Sequence, residues 1–153
     1  MVFVLAFFIG VIAGLRAMMA PAVVSWCAGL GLLHLDGTPL HFFSLPVTRW
    51  VLAIAALGEI VNDKLPKTPS RKVPPQFIAR IVTGSLAGSA LGASQGALMS
   101  GLIAGGLGAL AGTLGGAEFR TRLVRAIGGK DLPIALLEDA IALIGGILIV
   151  THV

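Results

Sequence analysis

The sequence predicts an all-α fold, a polytopic bundle of about five transmembrane helices forming a single domain over residues 1–153. Three observations predict it. Hydrophobic residues make up 56% of the 153 positions, with a mean hydropathy of +0.97. Asp, Glu, Lys and Arg supply only 12% of the chain, about half their share in soluble domains. The apolar residues also gather into segments near the length of a bilayer crossing, about 20 residues each. The 21 glycines and the absence of Tyr fit the same reading, since closely packed membrane helices are rich in Gly.

The first segment covers residues 2 to about 24. It resembles a secretory leader superficially, but no basic residues precede it and hydrophobicity resumes after Arg16 through Leu33, so it is expected to be a retained span. Pro21 lacks a backbone donor and its ring clashes with the preceding turn, which predicts a helix broken near Pro21. Residues 17–33 then span, re-enter or lie in the interface, and irregular backbone at that depth needs protein or a wet cavity to cover it. Trp26 fills the place ahead of Cys27 where a lipoprotein signal needs a small residue, which argues against lipidation. As the single cysteine, Cys27 forms no intrachain disulfide and reads as an apolar wall residue.

The second segment, 51–62, is too short to cross. It must recruit residues 47–50 and run on to Leu65, carrying Glu59 and Asp63 with it. The third and fourth, 77–93 and 97–115, are joined by little more than Ser94-Gln95-Gly96 and should form a tight antiparallel hairpin. A fifth, 132–150, ends the chain.

Basic residues concentrate in two connections. Residues 64–80 hold Lys64, Lys67, Arg71, Lys72 and Arg80, and residues 116–131 hold Arg120, Arg122, Arg125 and Lys130. Five spans put both on one side, leaving Arg16 and Arg49 for the other. The positive-inside rule then makes the basic loops and the amino terminus cytoplasmic. The net charge of +4 follows from topology, with no call for nucleic acid. Lys67, Arg71 and Lys72, spaced by prolines, could also meet anionic lipid headgroups.

Glycine spacing predicts packing faces. Gly84, Gly88, Gly92 and Gly96 recur every four residues, and Gly101, Gly105, Gly108 and Gly112 form a second series. Such faces let backbones approach closely, within the chain or between copies in a homo-oligomer. They could also line a narrow path along Ser85, Ser89, Ser94 and Ser100.

The chain compares with itself weakly. Leu52-Ala53-Ile54-Ala55-Ala56-Leu57-Gly58-Glu59 aligns with Leu132-Pro133-Ile134-Ala135-Leu136-Leu137-Glu138-Asp139, and Gly10-Val11-Ile12-Ala13-Gly14 with Gly108-Ala109-Leu110-Ala111-Gly112. This is the pattern of an inverted-topology repeat, with halves 1–65 and 97–153 joined by the span 77–93.

The charged residues inside apolar sequence carry the functional expectation, because a charge at bilayer depth costs roughly 3 kcal/mol on insertion scales. Arg16, Glu59, Asn62, Asp63, Glu138 and Asp139 are the candidate ion- or substrate-binding residues. Glu59 and Asp63 share a helix face, so together they could hold a cation or share a proton. Glu138 and Asp139 diverge by about a quarter turn. Arg16 could pair with Glu59 or Asp139, and Glu118 beside Arg120 and Arg122 reads as a solvated helix-end ion pair. His34, His41 and His152 lack ligand spacing with Cys27, so neither a metal nor another cofactor is expected. No nucleophile elbow, phosphate loop or CxxC pair occurs, which argues against an enzyme.

The stretch Gly58-Glu59-Ile60-Val61-Asn62-Asp63-Lys64-Leu65-Pro66-Lys67-Thr68-Pro69-Ser70-Arg71, with Gly14-Leu15-Arg16-Ala17-Met18-Met19-Ala20-Pro21 upstream, resembles a family of small bacterial inner-membrane proteins known as a domain of unknown function. The resemblance covers most of the chain and implies a bacterial integral membrane protein, but no substrate or residue role. From the residues themselves, the expected activity is transport of an ion or small solute. A membrane scaffold or assembly protein, and a lipid-translocating protein, are the alternatives.

Overall fold

The computed structural model describes residues 1–63, 74–129 and 132–153, with the Asp63 side chain outside that description. Among the described residues six α-helices follow in order: α1 Val2–Leu15, α2 Met19–Gly29, α3 Pro46–Asp63, α4 Pro74–Ser94, α5 Leu98–Ala126 and α6 Leu132–Thr151, with a 3₁₀ turn at His41–Ser44 before α3. Among the described residues there is no strand.

The first apolar segment is two helices. Arg16 is extended at φ −141° and ψ 107°, and Met19 opens α2. The break precedes Pro21 by one turn, for a steric reason: a proline ring collides with the carbonyl four residues earlier, here that of Ala17, so the helix cannot run through residue 17. Pro21 itself sits in the first turn of α2, where backbone donors have no helical partner anyway. Three other helix starts use the same device. Pro46 opens α3, Pro74 and Pro75 open α4, and Pro133 is the second residue of α6.

Glycine decides how α1, α4 and α5 pack. A methyl group built on Gly88 would overlap Gly101 and Gly105, one on Gly92 would overlap Ala97 and Gly101, and one on Gly84 would strike the Ala109 side chain. The same face of α5 receives α1: a methyl on Gly10 would hit Gly105, one on Gly14 would hit Gly112, and ones on Gly108 and Gly112 would hit Phe7 and Val11. Backbone against backbone gains dispersion contacts that larger side chains would prevent. Gly96 departs from the expected series. It lies in the α4–α5 turn at φ +72° with open space around it, so it supplies a left-handed turn rather than a packing surface.

The other half of the molecule wraps α2. Residues 19–25, 27 and 28 are all buried, Cys27 among them. α3, α4, α6 and the 3₁₀ turn lie around it. Ser25 Oγ donates to the Phe43 carbonyl at 2.6 Å. At the far end of α2, Trp26 meets Trp50 edge-on at 5.3 Å and the Arg49 guanidinium lies 5.0 Å from the Trp26 ring.

Three helices, α4, α5 and α6, are long and apolar enough to cross a membrane. Their outward faces carry large apolar side chains, such as Ile78, Val82, Ile103, Leu107, Leu114, Ile144 and Leu148, in an extent that soluble monomers do not show. This is a helical membrane protein. α1 and α2 are shorter, and α3 holds Arg49, Glu59 and Asp63 within 18 residues. α5 also runs further than the sequence suggests. Its helix continues to Ala126, so most of the expected 116–131 connection, with Arg120, Arg122 and Arg125, is helical.

Candidate functional site at the break between α1 and α2

A broken helix exposes two opposite partial charges, carbonyls at the end of the first piece and N–H groups at the start of the second. Both ends are matched here by a side chain of the right sign, Arg80 buried and Glu59 partly buried. Arg80 Nη1 donates to the Gly14 carbonyl at 2.8 Å. The Ala17 and Met18 N–H groups donate to Glu59 Oε1 and Oε2, each at 2.8 Å, so one carboxylate caps α2 through both oxygens. The two side chains also face each other, with Arg80 Nη2 at 3.6 Å from Glu59 Oε1.

Arg16, the residue at the break, turns toward α6. Its Nε donates to Asp139 Oδ1 at 2.6 Å and its Nη2 lies 3.5 Å from the Ala135 carbonyl. Arg16 is 0% exposed and Arg80 5%, so both guanidinium groups sit in protein rather than solvent. Four charged side chains from the break, α3, α4 and α6 thus converge on three residues of irregular backbone. Their formal charges cancel, two arginines against two carboxylates.

The expected acidic cluster is therefore divided among arginines. Glu59 is held by backbone and Arg80, and Asp139 by Arg16. Glu138 turns the other way, where its Oε2 lies 3.4 Å from Arg120 Nη1. That pair borders a pocket of about 160 Å³ walled by Leu15, Phe119, Leu137 and Ile141. Asn62 lies on the exposed side of α3. The Asp63 side chain and Lys67, Arg71 and Lys72 fall outside the described residues, so the Glu59–Asp63 pair and the lipid-headgroup loop have no geometry here. Among the described residues no three His, Cys, Asp or Glu side chains group as metal ligands. Glu118 and Arg122 form the exposed helix-end pair at 2.9 Å. The serine path has no support from Ser89 and Ser94, whose hydroxyls donate to the Leu86 and Leu91 carbonyls of their own helix.

Sequence reasoning missed Arg80 and Arg120, counting both as loop cations. Arg80 had a usable signal: it stands inside the apolar segment 77–93, between Ala79 and Ile81, the same mismatch that marks Arg16. Arg120 had none, because nothing in its neighbourhood tells a helical arginine from a loop one.

No protein-family model, curated protein or solved structure matches the chain. The reading of the site rests on its own geometry.

Proposed function

We propose that the protein is a small membrane transporter or channel for an ion or small solute, whose path crosses the break between α1 and α2. One observation carries this reading: both ends of the broken helix and Arg16 are neutralised by charged side chains from other helices, Arg80 buried and Glu59 and Asp139 partly so. A purely structural break could be closed with waters or hydroxyls. Here Glu59, Arg80 and Asp139 come from α3, α4 and α6, so exchanging any partner moves a helix, which is the kind of two-state element that alternating access needs.

The remaining features fit this reading. Gly10 and Gly14 pack against the α5 face that carries Gly108 and Gly112, their counterparts in the proposed inverted repeat, and Glu59 and Asp139, the paired acids of that repeat, reach the same break. With α1 and α2 together crossing once and α3 crossing despite its charges, the chain makes five spans. The basic segment 64–73 and the α5–α6 connection then lie in the cytoplasm of a bacterium, with the amino terminus, as the resemblance to the bacterial inner-membrane family suggests. A homo-oligomer would assemble through outward faces such as that of α3, where Val47, Trp50, Ile54 and Leu57 are exposed, because the glycine faces are occupied within the chain.

A non-transporting scaffold is the second reading, favoured by the charge balance: a set of mutually satisfied ion pairs also suits a static support. Flux separates the two. Purified protein in liposomes, tested with labelled cations, anions and small neutral solutes, should take up at least one of them, and uptake of the solute that wild type carries best should fall at least tenfold in Glu59→Gln while the variant remains folded and membrane-inserted. Folded wild-type protein that moves none of them sinks the transport reading.

A further inference from the structure

Arg80 is more than a structural counter-ion. It stands at the carbonyl end of α1 and within 3.6 Å of Glu59, so it holds the place where a cation would otherwise be drawn by the Gly14 carbonyl and the carboxylate together. Glu59 plays the mirror role, lying across the N–H groups of Ala17 and Met18 where an anion would settle. Arg16 and Asp139 complete the set and cancel each other.

We infer that Arg80 is a specificity-determining residue, and that by balancing Glu59 it restricts the site to small solutes without net charge, neutral or zwitterionic. The inference rests on the transport reading. An ion entering this break meets a positive and a negative group a few ångströms apart and gains little from either, while its own desolvation remains uncompensated. A zwitterion or polar neutral molecule can match both groups at once. Arg80 is 5% exposed and reaches the break from α4, so its removal leaves a site with one excess negative charge beside oriented carbonyls. Removing the Glu59 charge leaves one excess positive charge beside oriented N–H groups.

The test is uptake of labelled glycine, sodium and chloride into liposomes holding wild type, Arg80→Gln, Glu59→Gln, the double variant and Arg80→Lys. Glycine stands for the zwitterionic class. Wild type should admit glycine over either ion. Arg80→Gln should raise sodium uptake at least tenfold without raising chloride, and Glu59→Gln should do the reverse. The double variant should admit neither ion above the wild-type level, and Arg80→Lys, which keeps the charge, should exclude sodium as wild type does. A structural role cannot produce opposite selectivities, because a loosened bundle leaks both ions. Sodium uptake unchanged in Arg80→Gln, or raised equally with chloride, overturns the inference while leaving transport intact. Should Arg80→Gln fail to fold, Glu59→Gln decides alone: selective chloride entry sustains the inference and its absence overturns it. Absence of any uptake by wild type overturns both this inference and the reading beneath it.

Discussion

Arg16 and Asp139 are 123 positions apart in the chain and 2.6 Å apart in the fold. Their contact fastens the irregular backbone at the first helix break to the middle of the last helix. Arg16 is fully buried and Asp139 partly so, and removing one member of such a pair strands the other charge, at a cost of up to about 3–5 kcal/mol in soluble proteins. Arg16→Gln and Asp139→Asn should each destabilise strongly, and the double variant should be less destabilised than the sum of the two. Thermal unfolding of the four forms in one detergent gives the coupling, expected at about 1–3 kcal/mol. Additive losses would mean the contact does not hold the break.

Two ion pairs made by α5 arginines should respond unequally. Arg122→Gln breaks an exposed pair one turn apart on one helix and should cost under about 0.5 kcal/mol. Arg120→Gln leaves Glu138, 8% exposed, without that counter-ion and should cost several times more. Comparing their unfolding temperatures checks the ranking.

Glycines that look alike in sequence should behave differently. Gly105→Val places atoms where the Gly84 carbonyl and the Gly88 backbone lie, and should abolish a monodisperse folded species on size exclusion. Gly115→Ala and Gly58→Ala meet nothing within 4 Å and sit inside helices. They should leave folding intact or raise stability by up to about 1 kcal/mol through helix propensity.

Pro21→Ala tests what makes the break. Pro21 lies within the first turn of α2 and gives up no helical hydrogen bond there, so replacing it removes only the steric block on residue 17. With Glu59 and Arg80 still holding both ends, the break should persist. Amide hydrogen exchange at residues 17 and 18 should match wild type. Strong new protection of residues 20 and 21, whose N–H groups would find partners only in a continuous helix, would instead show that proline alone interrupts it.

Much of the fold was legible from apolar runs and prolines, because both act locally. The bounds of α3, α4 and α6 fall within a few residues of the expected segments, and Gly96 sits at the expected turn. The site was only half legible. Arg16, Glu59 and Asp139 announced themselves as charges within apolar sequence, but which acid served which arginine depends on how helices far apart in sequence rotate against one another. Arg80 was obscured by its neighbours: four basic residues just upstream made it look like one more loop cation. The end of α5 was hidden for a related reason. Alternating arginines and apolar residues suit a surface loop and an amphipathic helix equally well, and only packing tells them apart.

The dependence of Arg16 on Asp139 also orders events at the ribosome. When the first helices emerge, the partner of Arg16 has not been synthesised, and α1 and α2, at 14 and 11 residues, are each shorter than a bilayer crossing. The amino-terminal segment therefore cannot settle into its final position as it is made. Its final packing is complete only once the last helix has arrived to supply Asp139. A chain truncated before α6 loses the means to seat its first helices, and quality-control proteases would meet it as an unfinished product.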